Sequence, residues 1–349
     1  MKWYKKKKIT IPFGVFVLLL GIRLVMQPII HKELNKFLAT FSPTLYFHIA
    51  DLDIHIIRGA YSFDGITGKV KGENNNFIKI EKVDVSMAWR EIFKGKLVTD
   101  IEVNGADFSY TGEFKKAIAN IPKKADQATN ARDKLFPVKI ERVDVQNGAV
   151  TLDDYPSLEE NKKLQLTNIE GRLTNLTPAK KFPLSFFNLK ATVLGNSVVK
   201  TAGHLNTLAR PMQWDVDGEM QGFDLTTANQ FLKRKVPVTF TKGKLDLYVE
   251  AQSTNGKIEG YVKPFMKNID VLKSEEDFKG PKHWFVEIIT AVGNLVLRAT
   301  DTKSVATKIP FTMDKAGMHV DSGEALSKAI EHGFQQQLSP GVEDKYELE

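Results

Sequence analysis

The chain has 349 residues, of which 42% are apolar and 26% charged, so its composition is that of a folded protein and excludes a disordered chain. The formal net charge is +7, but five positive charges lie at Lys2 and Lys5 to Lys8, and +7 minus these five leaves +2. That balance gives no broad basic surface and argues against a nucleic-acid partner. The sequence contains no cysteine, which excludes disulfides, thiol catalysis and thiolate metal sites.

The N-terminus has the pattern of a membrane anchor. A basic segment at 1–8 precedes an apolar run at 9–30, which is interrupted by Thr10, Arg23 and Gln27. A run of this length can cross a hydrocarbon core at about 1.5 Å per residue, and Arg23 can extend to the far interface. Positive charge on the near side keeps the N-terminus cytoplasmic and sends the rest across. The residues that carry this prediction are Lys5, Lys6, Lys7, Lys8, Phe13, Phe16, Leu18, Leu19 and Leu20.

A cleaved signal peptide is the alternative interpretation of this segment. No convincing small-x-small cleavage site follows the apolar run, which favours an uncleaved signal anchor. A nuclear-type basic patch would not be followed by the sequence FGVFVLLLGI.

Beyond the anchor, alternating apolar residues predict a protein made mainly of β-strands, with short helices between them. A short helix is predicted at 31–42, and strands are predicted at 52–57 and 77–89, where apolar side chains recur at every second position. The segment 90–98 predicts a short helix or turn. The expected fold is therefore mainly β.

Two similar pieces, IEVNGADFSY at 101–110 and VDVQNGAVTL at 143–152, predict two-residue hairpins. Asn-Gly indicates a type I′ turn, because both central positions of that turn need a positive φ. With Asn104-Gly105 and Asn147-Gly148 as turns, the flanking apolar residues would pair on one face of the sheet. These candidates for lining an apolar groove are Ile101, Val103, Phe108, Val143, Val145, Val150 and Leu152.

Two more turns are predicted in the same way. Asn255-Gly256 would place Val249 opposite Val262, and a weaker Gly-Asn turn would place Val193 opposite Val198. The recurrence of such turns predicts an antiparallel meander built from similar units.

Helical spacing appears in a few segments. Residues 112–136 are rich in lysine and alanine and predict a helical or mobile insertion, while short helices are predicted at 226–234 and 284–292. Apolar residues from Ser322 onward predict a C-terminal amphipathic helix. The predicted organisation is a basic N-terminus (1–8), an anchor (9–30), a first hairpin unit (31–111), an insertion (112–136), a main meander (137–321), a C-terminal helix (322–338) and an acidic tail (339–349).

The sequence shows no constellation that catalysis would need. Its seven histidines include no pair at i, i+4 with an intervening glutamate, and no nucleophile elbow, Walker A loop or dinucleotide fingerprint is present. Asp51, Asp53 and the pair Asp153-Asp154 are typical of solvated strand positions. We therefore expect a protein that is not an enzyme, with no cofactor and no metal; a hydrolase that uses Asp153 or Asp154 is the remaining alternative.

Five strand-rich segments follow the anchor in a fixed order. They are FKGKLVTDIEVNGADFSY (93–110), FPVKIERVDVQNGAVTLDD (136–154), LTNIEGRLTNLTP (166–178), FDLTTANQFLKRKVPVTFTKGKLDLYVEA (223–251) and TKSVATKIPF (302–311). In this order behind a single anchor, they resemble the AsmA-like family of bacterial envelope proteins, in the branch whose shared domain is of unknown function. The resemblance covers most of 30–338.

The resemblance implies a curled antiparallel β-meander with an apolar inner face. It implies a single-pass protein of the bacterial inner membrane, with a cytoplasmic N-terminus and the bulk of the chain in the periplasm. Relatives are thought to shield lipid chains in such a groove or to influence outer-membrane assembly, so we expect this protein to bind or transfer phospholipid along the groove.

Two alternatives to a lipid groove stay open. The apolar face must be covered, and the helices predicted at 226–234, 284–292 and 322–338 could cover it instead of lipid. The protein could also be a scaffold or assembly factor that holds envelope proteins through a sheet edge or through the 112–136 insertion.

Overall fold

The structure is a computed structural model that describes a defined part of the chain. The described residues are 21, 24–55, 58–92, 94, 97–120, 138–152, 163–176, 184–194, 197–206, 209, 211–232, 238–273, 304–306, 308–314, 317–320, 340–346 and 348. The predicted anchor residues up to position 20, and the helices predicted at 284–292 and 322–338, lie outside them.

The described elements are mostly strands. The strands are β1 (Leu45–His55), β2 (Ala60–Val70), β3 (Asn76–Met87), β4 (Leu97–Tyr110), β5 (Val138–Leu152), β6 (Leu164–Leu176), β7 (Leu184–Val193), β8 (Ser197–Asn206), β9 (Gln213–Asp224), β10 (Val238–Thr254), β11 (Lys257–Lys273), β12 (Ser304–Ala306), β13 (Ile309–Asp314) and β14 (Gly317–Val320). The helices are α1 (24–40), α2 (Trp89–Ile92), α3 (Gly112–Ala119) and α4 (Leu225–Leu232).

Within these residues, the strands form one antiparallel sheet in which each strand from β1 to β11 neighbours the next along the chain. The sheet continues through β13 and β14, and β12 pairs with β11 beside that path. The chain divides into two compact units, 1–146 and 147–349. The predicted mainly β, antiparallel meander with short helices is confirmed.

The predicted turn at Asn255-Gly256 is confirmed. It joins β10 to β11, and the two residues have φ values of 55° and 77°, as a type I′ turn requires. Val249 pairs with Val262, which is the predicted register.

The hairpins predicted at Asn104-Gly105 and Asn147-Gly148 are wrong. Both pairs lie inside single long strands, β4 and β5. Gly105 and Asn147 do have positive φ values, 65° and 53°, but these bend a continuing strand and do not reverse it.

The register predicted between β7 and β8 is also wrong by one residue. Val198 pairs with Thr192, while Val193 pairs with Ser197. The connection therefore has three residues, and its first residue, Leu194, has a φ of 49°.

A shared irregularity crosses β1 to β4 and explains why Gly105 is in a strand. Backbone pairing is interrupted along one row, which consists of Ala50, Gly65, Glu81 and Gly105. Gly65, like Gly105, has a positive φ, of 62°. On β1, both residues between buried Ile49 and buried Leu52 are exposed, so the two-residue alternation is broken at this row.

Helix α3 covers one end of the sheet in the first unit. Its Phe114 contacts the ring of buried Phe77 at a centroid distance of 4.5 Å and that of Phe108 at 5.3 Å. Thr111 caps the helix by accepting a hydrogen bond from the Phe114 N–H at 3.1 Å. The described part of the predicted insertion is therefore packed on the sheet, with Ala117 buried.

Helix α4 covers part of the second unit, close to the predicted position 226–234. Its Leu225 is buried in a cluster with Phe223, Phe240 and Met266. The Asn229 amide donates to the Phe240 carbonyl at 2.7 Å and accepts from the Phe240 N–H at 2.9 Å. The Asn229 side chain thus provides hydrogen-bond partners for the backbone N–H and C=O of Phe240, as a neighbouring strand would.

Candidate functional site

The first turns of α1 expose an apolar surface. Leu24, Val25 and Ile29 are 67%, 63% and 57% exposed, and Met26 and Ile30 are exposed as well. At about 100° per residue, these five positions spread over roughly 240° of the helix circumference. A helix that packs by one stripe would not expose apolar residues so widely, whereas a helix in lipid would.

The second half of α1 is fixed to the first strand. The Asn35 amide donates to the Ile49 carbonyl at 2.9 Å and accepts from the Ile49 N–H at 2.8 Å. The His31 Nε2 lies 2.8 Å from the same carbonyl and 3.0 Å from the Asn35 amide nitrogen. β1 is the edge strand of the described sheet, so Asn35 supplies there the partner that a further strand would supply.

Replacing Asn35 with alanine is expected to speed hydrogen exchange of the Ile49 amide about tenfold. The change removes the partner of the Ile49 N–H, while the His31 Nε2 still lies 2.8 Å from the Ile49 carbonyl; a partly buried N–H without a partner costs about 1–2 kcal/mol. Hydrogen–deuterium exchange of peptides covering β1 measures it. Lys36→Ala, on the exposed side of the same helix, is the control, and equal exchange in both variants would show that Asn35 does not hold the edge.

Two rows of paired apolar residues cross β1 to β4, beginning on the strand that Asn35 fixes to α1. Directly paired residues share a face of the sheet, and rows two residues apart share the same face. We call them together the apolar rows; they are Leu52, Phe63, Val83 and Val103, and Ile54, Tyr61, Val85 and Ile101. Leu52 and Ile54 are buried, and the other members are partly exposed. Neither core cluster of the described residues includes any of them.

The reverse face of the same strands is acidic. The row between the apolar rows, on the other face, consists of Asp53, Ser62, Asp84 and Glu102. Ser62 donates to the Asp84 carboxylate, and the Lys82 ammonium lies 3.1 Å from it. Burial alone would raise the pKa of Asp84, but these two hydrogen bonds outweigh it and hold the pKa below its usual value. The sheet is therefore two-sided, apolar on one face and charged on the other.

The predicted groove residues do not form hairpin pairs. Ile101 and Val103 belong to the apolar rows, where they pair with Val85 and Val83. Phe108 belongs to the aromatic cluster under α3. The remaining candidates are partly buried on β5: Val143 and Val145 in the first unit, and Val150 and Leu152 in the second.

Sequence reasoning missed several residues of this site. The alternation predicts strands at 52–57 and 77–89, which contain Leu52 and Val83, but it does not group these residues with Val103, and no pattern indicates a role for Asn35. The sequence does contain a signal for the rows. Within each of two strands, apolar residues stand three positions apart where two is the normal spacing: Ile49 and Leu52 on β1, and Ile80 and Val83 on β3.

The other candidate chemistry is limited. Among the described residues, no group of three or more histidine, aspartate or glutamate side chains is arranged to hold a metal ion. In the same part of the chain, no helix is both long and apolar enough to span a membrane. No protein-family model matches the sequence, and no curated protein matches it significantly.

Proposed function

We propose that the protein is a membrane-anchored, non-enzymatic protein of AsmA-like type that binds the acyl chains of phospholipid on its apolar rows. The observation that carries this proposal is the position of the rows. They begin at β1, the edge strand that Asn35 fixes to α1, and the first turns of α1 expose apolar side chains around most of the helix.

The dimensions of the apolar rows suit an acyl chain. Four strands at a spacing of about 4.8 Å give rows roughly 14 Å long. Each methylene that leaves water on such a surface contributes about 0.8 kcal/mol. A chain segment along one row would therefore be held without any polar contact, and its headgroup would remain in water.

The basic residues Lys5 to Lys8 and the apolar run at 9–30 support the location that we propose. They favour a single-pass anchor in the bacterial inner membrane, with the sheet in the periplasm. The apolar turns at 24–30 continue that run into the described part of α1. In this arrangement the edge strand β1 follows directly after the anchor, and lipid would reach the rows from the outer surface of the inner membrane.

Photocrosslinking in bacterial cells tests the proposal. The full-length chain carries the photoreactive amino acid p-benzoylphenylalanine at Val103 or at Glu102, which are neighbours on β4 with opposite faces. After irradiation, the expected result is a phospholipid-sized increase in mass at Val103, several-fold more abundant than at Glu102. Intact-protein mass spectrometry measures both adducts.

The comparison also separates the alternatives. Protein adducts at Val103 without lipid adducts would favour the scaffold hypothesis. No adduct at Val103, in a chain whose circular dichroism matches the wild type, would show that the protein covers its own apolar rows. Equal lipid adducts at Val103 and Glu102 would show contact with a membrane surface in place of a groove.

A further inference from the structure

The C-terminal segment lies on a polar patch of the second unit. We call residues 340–346 and 348 the tail, and we call the patch beneath it the tail site. The tail site consists of Asp215 on β9, Glu250 on β10, Tyr261 and Lys263 on β11, and Lys308 just before β13. The first four are at most 3% exposed, and such burial is unusual for the three of them that carry a charge, Asp215, Glu250 and Lys263.

Backbone groups of the tail bind carboxylates of the tail site. The Tyr346 N–H donates to Glu250 Oε1 at 2.5 Å, and the Leu348 N–H donates to Asp215 Oδ2 at 2.8 Å. The Glu343 N–H donates to Glu250 Oε2 at 3.1 Å and to the Tyr261 hydroxyl at 2.9 Å. These contacts recognise peptide backbone, so they do not depend on which side chains the tail carries.

One side chain of the tail is recognised by charge. The Glu343 carboxylate lies 3.0 Å from the Lys263 ammonium and also accepts a hydrogen bond from Lys308. The hydrogen bond from Lys308 holds the pKa of Glu343 below its usual value against the opposing effect of burial. The hydrogen bond from Lys263 lowers the pKa by a smaller amount. The tail site therefore selects an acidic residue at this position.

The polar side chains of the tail site are suited to reversible binding of the tail. A surface covered permanently is stabilised best by apolar packing, because buried ion pairs contribute little net stability. Carboxylate, ammonium and hydroxyl groups can instead exchange their tail contacts for water when the tail is released. This contrasts with the clusters under α3 and α4, which are apolar.

From these contacts we propose that the tail site is a docking site for an acidic peptide segment of a partner protein, and that the chain's own tail occupies it as a competing ligand. The partner segment presents backbone N–H groups to Glu250 and Asp215, and a carboxylate to Lys263 and Lys308. The proposal does not depend on lipid binding by the apolar rows.

A peptide-binding experiment on the full-length chain tests this. The probe is a fluorescein-labelled peptide with the sequence PGVEDKYELE, which is that of residues 340–349. A covalently attached tail competes at an effective concentration of about a millimolar, so the wild-type chain should bind the probe weakly. Glu343→Lys places the tail's side chain against two lysines, and this chain should bind the probe at least about tenfold more tightly, measured by fluorescence anisotropy.

Matched variants make the result specific. Asp344→Lys makes the same charge change at the adjacent exposed position and should bind the probe as weakly as the wild type does. Adding Lys308→Glu to the Glu343→Lys chain should abolish probe binding. A second probe, with glutamine in place of the residue equivalent to Glu343, should bind the Glu343→Lys chain about tenfold more weakly than the first probe does.

Tail release is measured separately by the rate at which carboxypeptidase shortens the chain. If Glu343→Lys does not speed shortening, the two lysines do not hold the tail and the proposal fails. If the tail is released but the probe does not bind, the tail is only a structural strap of its own chain, and the proposal also fails. Equal binding to all variants would indicate non-specific charge attraction and would overturn it as well.

Discussion

Replacing Gly260 with alanine is expected to destabilise the protein by about 3 kcal/mol, because the new methyl group meets backbone and not flexible side chains. A Cβ at this position would lie 2.3 Å from the Glu250 carbonyl oxygen and 2.8 Å from the Ala251 Cα. β11 is held by β10 on one side and by β13 on the other, so it cannot move away from the clash. Urea denaturation of the two chains measures the difference.

Gly218 offers a matched control in the same part of the sheet. It pairs with Val249 on β10, and a Cβ there would lie 3.7 Å from the Thr201 methyl group and 3.8 Å from the Val249 Cβ, which is ordinary contact. Gly218→Ala should therefore change stability by less than about 1 kcal/mol, and replacing a strand glycine can even be favourable. Equal losses in the two variants would mean that the close approach at Gly260 relaxes easily.

Replacing Phe77 with alanine is expected to cost about 4 kcal/mol in the first unit, through lost burial and the cavity that remains. Phe77 is 6% exposed, and its ring contacts those of Phe47, Phe108 and Phe114. The loss should appear in hydrogen exchange as much faster opening of α3, since Phe114 of that helix packs directly on the Phe77 ring. Amides of β10 and β11 serve as the internal reference.

The control for this change is Phe37→Ala on α1. Phe37 is 57% exposed and contacts the ring of Phe41, so its removal should cost well under 1 kcal/mol. Unchanged exchange of α3 in the Phe77→Ala protein would contradict the packing described for Phe108. Such a result would also mean that α3 does not cover Phe108, which would then be available to contact lipid as predicted from the sequence.

The meander predicted from the sequence is correct, but two of its predicted turns are wrong. The reason is that a hairpin turn and a bent strand give the same spacing of apolar residues. Val103 and Ala106 are three residues apart, which fits the two sides of an Asn-Gly turn. The same spacing arises in a strand that is bent at one residue with positive φ. The neighbouring strands decide between the two: Ile66 pairs with Ile80 and Ile80 with Ala106, so Gly105 extends an irregularity already present at Gly65.

At Asn255-Gly256 the local signal and the long-range pairing agree. The strands on both sides are long, they pair without a register shift from Lys244 to Thr254, and they follow each other directly in the chain. Local chemistry alone thus favours a left-handed conformation at one or both residues of an Asn-Gly pair. Whether the chain reverses there depends on partners that are distant in sequence.

The candidate groove could be predicted only in part for a related reason. Periodicity showed that Ile101, Val103 and Phe108 are apolar strand residues, but not which element covers each of them. Phe108 lies under α3 because Phe114 reaches it, while Ile101 and Val103 lie in the apolar rows. The contacts of Glu343 with Glu250 span 93 positions, and no local pattern could have indicated them.

The strictly sequential strand order has a consequence for how the protein forms. Each strand from β2 to β11 finds its partner in the segment that was synthesised just before it, so no strand needs to wait for a distant one. Pairing between near neighbours lowers the entropy cost of loop closure and favours stepwise growth of the sheet from the N-terminal end. Such a chain could also gain or lose a hairpin during evolution without rearranging the others, as repeat proteins do.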